Sequence, residues 1–211
     1  MKRYLLSSVF TFMIASATFA QVKQIESNDF SKANSEAYRL MSGVSKRVVT
    51  KTENIENGAV INSVENISEN ILPNRSRYVR TENKGGVETV SETIVIDDTI
   101  YRRTDKEPWT TQKIGGGIGS GNGTGGFSSC TQYTEESDFA NGQSARKLRR
   151  LEIKNSEKGL AFDDSLVWYN LQGQFLRTET VRGLLEPRSE TYRSTVNYEY
   201  NPNIKIEAPI K

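Results

Sequence analysis

Tyr192-Arg193-Ser194-Thr195-Val196-Asn197-Tyr198-Glu199-Tyr200 alternates with a period of two: Tyr192, Ser194, Val196, Tyr198 and Tyr200 fall on one side, Arg193, Thr195, Asn197 and Glu199 on the other. Successive strand residues point to opposite faces, so this stretch reads as a β-strand with an aromatic face turned inward and a polar face turned to water. A sheet with one wet face is characteristically antiparallel. Downstream, Asn201-Pro202-Asn203 breaks the strand, and Ile204 and Ile206 resume its alternation before Pro209. Upstream, from Lys46 onward, short stretches rich in Val, Ile, Thr and Tyr are separated by reversals. Asn57-Gly58 and Asn141-Gly142 suit two-residue hairpins that need positive φ, and Gly85-Gly86, Asp97-Asp98 and Gln172-Gly173 mark further turns. Hairpin after hairpin predicts an antiparallel meander. One stretch departs from this period: Phe30, Ala33, Ala37, Leu40, Met41 and Val44 recur at helical spacing, with Asn28 or Asp29 as the expected cap.

Composition narrows the chemistry. The 211 residues contain no histidine and one cysteine, Cys130. Histidine-dependent triads, histidine-ligated metals, intramolecular disulfides and four-cysteine sites are thereby excluded. Hydrophobic residues make up 35% of the chain, so the core is expected to be thin. Lys2 and Arg3 account for the whole excess of 28 basic over 26 acidic residues, and they begin a stretch that reads as a secretory signal. Leu5 to Ala17 is apolar but shorter than a membrane span, and Thr18-Phe19-Ala20 places small residues where a signal peptidase reads them, so cleavage is expected between Ala20 and Gln21. The exported chain, residues 21–211, is then neutral, with no general attraction for nucleic acid. Between Lys113 and Ser128 a glycine-rich run, 114–127, divides it into two strand-rich halves. Its match to GxGxxG lacks the lysine and the following helix of a phosphate loop, so it reads as a flexible insert in a single domain.

Candidate chemistry is sparse. Asp97-Asp98 and Asp163-Asp164 invite a reading as paired carboxylates, but adjacent strand residues point to opposite faces and would not converge on one bond, so solvated reversals are expected. Arg146-Lys147-Leu148-Arg149-Arg150 is the one basic cluster, and its alternation reads as a solvated strand face. Cys130 sits near Glu135, Glu136 and Asp138, which disfavour a thiolate. Tyr101, Trp109, Trp168 and Tyr198 read most simply as core; together on a curved sheet they would line an apolar pocket.

A helix followed by a long meander, with Pro73-Asn74-Arg75-Ser76-Arg77-Tyr78, then Ile94 to Tyr101 and Trp109, resembles the LolA/LolB-like superfamily of periplasmic lipoprotein carriers. Phe139 to Gly142, Leu166 to Thr178, and Tyr198 to Tyr200 with Ile204 to Pro209 resemble the second half of LppX-like members. The chain departs from the carriers' pattern at Leu72, where they hold an arginine before the proline, and in the glycine-rich insert. The resemblance implies a mainly β (α+β) fold: a strongly curved antiparallel sheet forming an incomplete barrel, its concave face covered by the N-terminal helix and few others. It also implies a periplasmic carrier without catalysis that holds lipid or lipoprotein acyl chains in a hydrophobic cavity; strand alternation assigns Tyr78, Ile94, Ile96, Tyr101, Trp109, Trp168 and Tyr198 to its lining, and a monomer without cofactor or metal is expected. The rival expectation is an envelope sensor of the same shape, RseB-like, that binds a membrane protein; a carboxylate-only exported hydrolase is the third.

Overall fold

The computed structural model describes residues 22–113 and 129–210; the expected signal segment with its Ala20/Gln21 cleavage site, and the glycine-rich run 114–127, lie outside them. A two-residue strand β1 (Lys23–Gln24) leads into the helix α1 (Ser27–Ser42). The first meander follows: β2 (Lys46–Glu56), β3 (Ala59–Ile71), β4 (Arg75–Lys84), β5 (Val87–Ile96), β6 (Thr99–Thr104) and β7 (Thr110–Lys113). The second comprises β8 (Ser129–Ala140), β9 (Gln143–Ser156), β10 (Gly159–Tyr169), β11 (Phe175–Leu185) and β12 (Arg188–Tyr200). All five reversals expected from the sequence connect adjacent strands. Asn57-Gly58 and Asn141-Gly142 take the positive φ angles their hairpins require.

The two meanders join edge to edge, because β12 pairs with β2, placing Tyr198 opposite Val48 and Val196 opposite Thr50. One antiparallel sheet of twelve strands results, in the order β1-β8-β9-β10-β11-β12-β2-β3-β4-β5-β6-β7. It does not close on itself: β1 and β7 are its edges, and the architecture is an incomplete barrel.

The helix decides which face of the sheet is dry. Ala37 of α1 is fully buried against Leu148, Val167, Tyr169 and Phe175, with Phe30, Ala33, Met41 and Tyr198 packed around them. Phe175 stacks between Tyr169 and Tyr198, at 5.4 and 5.2 Å between ring centroids, and Tyr38 of the helix meets it edge-on at 5.0 Å. This helix face continues by register through Asp163, Ser165, Thr180 and Ser194. A smaller cluster on the far face gathers Ala140, Ala145, Trp168 and Leu176.

Three local expectations are corrected. Asn28 and Asp29 lie inside the first turn of α1; the N-cap is Glu26, without a side-chain cap, and Val44 falls beyond the helix end. Ile204 and Ile206 do not resume a strand: residues 201–210 are irregular, and Ile206 is buried with its carbonyl accepting from Arg75 Nη1 at 3.0 Å. The lid consists of one helix among the described residues.

The aromatic stack carries a pH dependence. Burial raises the phenol of Tyr198, and that of Tyr200, from the ordinary 10.0 to about 12, and it also raises Tyr169, whose hydroxyl has no hydrogen-bond partner among the described residues. Each folded pKa exceeds the unfolded one, so the native state holds protons that the unfolded chain releases, and stability falls as pH rises from about 10 towards 12. In an alkaline titration, tyrosinate absorbance from these rings should appear together with loss of the β-sheet circular dichroism. Ionisation of Tyr169, Tyr198 and Tyr200 with the sheet intact would contradict it.

Candidate functional site

Roughly 20 Å along β10 from the Val167 cluster, the helix face of the sheet opens into a groove of about 580 Å³. Its floor is Ala161 of β10 beside Leu184 of β11, opposite each other in register, and Lys154 of β9 flanks Ala161 from the other side. The β9–β10 turn brings Glu157 and Lys158 to the rim. A bulge at Arg182/Gly183 lets Thr191 of β12 reach the wall. Glycine is required there: a Cβ on Gly183 would lie 1.8 Å from the Ser189 carbonyl oxygen.

One step deeper, Asp163 is buried and answers two arginines. Its Oδ2 accepts from Arg182 Nε at 2.7 Å, while Oδ1 accepts from Arg150 Nη2 at 3.3 Å and Ser165 Oγ at 3.1 Å. Burial alone would raise this carboxyl, but the hydrogen bond and charge of Arg182, helped by Ser165 and Arg150, hold it below its ordinary value. Arg182 is steadied by the Tyr192 ring, 5.0 Å away.

Asp163 is therefore a buried strand residue, correcting the expected solvated reversal. Asp164 does point to the opposite face, where it takes two 2.8 Å bonds from Arg149. Asp98 sits in the β5–β6 turn, paired with Lys113 at 2.7 Å. No two of these carboxylates flank a common space. The basic cluster is ion-paired throughout rather than simply solvated: Arg146 with Glu135, Lys147 with Glu136 and Asp138, Arg149 with Asp164, Arg150 with Asp163. Cys130 is free and exposed. Among the described residues, no group of three or more Cys, Asp or Glu side chains is placed to hold a metal ion, and no helix is long and apolar enough to cross a membrane.

The structure distributes the seven residues assigned to a cavity. Ile94, Ile96 and Tyr101 share the far face of β5 and β6, with Ile94 opposite Tyr101. Trp109 lies under the guanidinium of Arg103, 4.6 Å from its carbon. Trp168 is six strands from β5; its Nε1 donates to Asp138 at 2.9 Å, with Lys147 and Arg177 over its ring. Tyr198 packs beneath α1, and Tyr78 is exposed on the helix face, donating to Asn66 at 2.6 Å. None of the seven lines the groove described above. Sequence reasoning missed the residues that do. Two signals were available: Lys158-Gly159 as a hairpin reversal, and Gly183 inside a strand pattern, which marks a bulge or close approach.

No family model matches the chain, and no curated protein matches it. Among solved structures, it is similar to a DUF1329 family protein from Desulfovibrio piger: 10% identity, TM-score 0.26, covering 83% of this chain and 94% of that one. It is similar at 11% identity and TM-score 0.26 to a putative outer membrane lipoprotein-sorting protein domain from Vibrio parahaemolyticus, covering 82% of this chain and 93% of that one.

Proposed function

We propose that the chain is an exported, non-catalytic carrier of the cell envelope that holds an acyl chain in the groove on the helix face of its open sheet. The observation that carries this reading is the groove itself: about 580 Å³, with Ala161 and Leu184 at its floor and Phe162, Lys154 and Arg182 also lining it. That volume is within the usual range for small-ligand sites. An open sheet covered by one helix among the described residues leaves such surface uncovered, and an acyl chain gains about 0.8 kcal/mol for each CH₂ it hides there. Asp163, the buried carboxylate beside the groove, is committed to two arginines, which agrees with holding rather than reacting.

Native mass spectrometry of protein purified from membranes should find lipid at near one equivalent. Ala161→Arg, which fills the groove floor, should weaken a fluorescent acyl probe by at least about tenfold, since several buried CH₂ contacts are lost. Trp168→Ala, on the opposite face, should leave probe affinity within about twofold while lowering stability. Unchanged probe binding by Ala161→Arg would refute the assignment.

One observation favours a second reading, in which the chain binds an envelope protein. Val60, Ile61 and Val87 are exposed at the tips of the β2–β3 and β4–β5 hairpins, beside a groove of about 450 Å³. Under that reading Ile61→Asp abolishes capture of the membrane partner, and the purified protein carries no lipid.

A further inference from the structure

We propose that the ligand of this groove is a single-chain amphiphile with an anionic end, carboxylate or phosphate, held by Lys154, Lys158 and Arg182. The inference rests on the carrier reading and adds the chemistry of what is carried. Three cations reach the groove from three elements: Lys154 from β9, Lys158 from the β9–β10 turn and Arg182 from β11. Neither lysine forms an ion pair among the described residues, in a protein where most arginines around this sheet do. Arg182 engages Asp163 through Nε alone, leaving its two terminal nitrogens without a partner among the described residues.

The acids of the groove do not cancel this charge. Asp163 already answers both Arg182 and Arg150, and Glu157 alone stands on the rim against two lysines. Asp163 acts instead as a positioning residue. Buried and bonded also to Ser165, it holds Arg182 by one edge, and Tyr192 supports the guanidinium plane. Terminal guanidinium nitrogens and ammonium groups donate to oxyanions through charge-assisted hydrogen bonds.

Placement matches the same ligand. Ala161 and Leu184 form an apolar pair across β10 and β11, and two residues further along the same strands the register places Asp163 opposite Arg182. Apolar floor and cationic donors therefore share one face one pleat apart, with Lys154 directly across from Ala161. A neutral alkyl chain would use the floor and leave the donors idle; a bare anion would do the reverse.

The test measures binding of the full exported chain to palmitate, palmitoyl lysophosphatidate, hexadecanol and inorganic phosphate. Both anionic amphiphiles should bind about tenfold more tightly than hexadecanol, and the advantage should shrink with added salt. The double variant Lys154→Gln with Lys158→Gln should bring them to within about threefold of hexadecanol, with the thermal midpoint unchanged. Hexadecanol binding as tightly as palmitate overturns the anionic end while leaving the carrier reading in place. Retention of the full preference by the lysine variant overturns it too. Inorganic phosphate binding as tightly as the amphiphiles would make this an anion site without a chain. Failure of all three amphiphiles, hexadecanol included, would overturn the carrier reading itself.

Discussion

Gly183→Ala is expected to cost several kcal/mol, roughly 3 or more, and to lower the thermal midpoint by about 10 °C. The added Cβ would lie 1.8 Å from the carbonyl oxygen of Ser189 and 2.9 Å from its carbonyl carbon. Both are backbone atoms of β12, so no rotamer change relieves the clash; the bulge must open or β12 must shift. Either response disturbs the pairing of Arg182 with Tyr192 and of Leu184 with Ser189, and with it the groove wall. Thermal unfolding followed by circular dichroism checks the prediction, with Gly43→Ala as the control. Gly43 has φ −100° and nothing within 4 Å of its would-be Cβ, so alanine there should be neutral or slightly stabilising. A Gly183→Ala protein that melts with the native one would mean that the close approach of β11 and β12 does not exist.

Glu92→Leu should destabilise by about 2 kcal/mol and abolish part of the acid sensitivity of the fold. Glu92 joins two arginines in a charge ladder across the far face of five strands. Arg47 of β2 meets Glu69 of β3 at 3.5 Å, Glu69 meets Arg77 of β4 at 3.4 Å, and Arg77 Nε donates to Glu92 of β5 at 2.7 Å. Arg103 of β6 then donates to the other Glu92 oxygen at 3.0 and 2.7 Å, and its guanidinium covers Trp109. The two glutamates are buried, at 5% and 6% exposure, whereas the Arg77 and Arg103 side chains remain about 40% exposed. Water can therefore reach the arginines when the carboxylate is lost, which keeps the cost below that of a fully buried pair.

Burial would raise the Glu92 carboxyl, yet the hydrogen bonds and charges of Arg77 and Arg103 hold it below the ordinary 4.5. A lowered folded pKa contributes stability above the unfolded value, and that contribution is lost as pH falls below about 4.5. Wild type should accordingly lose more stability between pH 5 and 3 than Glu92→Leu does. In a double-mutant cycle with Arg77→Leu, the coupling should be about 1 kcal/mol, and strictly additive single variants would show that the ladder contributes nothing.

How far the sequence carried is clearest at the turns. Asn57-Gly58 and Asn141-Gly142 could be assigned because positive φ is a demand on one or two residues, met locally and visible in their identities. The alternation of Tyr192 to Tyr200 is equally local, and so is the periodicity of α1. Its cap was misplaced because Asn28 and Asp29 are good cap residues that ended up one and two positions inside the helix that begins at Ser27. The buried state of Asp163 was not visible, since it depends on Arg182, nineteen residues away, and on Arg150, thirteen away. Trp168 and Tyr198 look alike as aromatic strand residues, but register sends one to the far face and the other beneath α1.

By itself the sequence determined the antiparallel meander, five of its reversals and the helix α1, because each is a short-range property of pleat, turn or helical spacing. Only the tertiary structure decided that β12 would pair with β2, joining residues more than 140 apart in the chain through contacts such as Thr52 with Ser194. The physical reason is that strand edges offer nearly the same hydrogen-bonding groups to every partner. Which edges meet, and which face then holds a groove or a charge ladder, is settled by the summed fit of side chains across the assembled sheet.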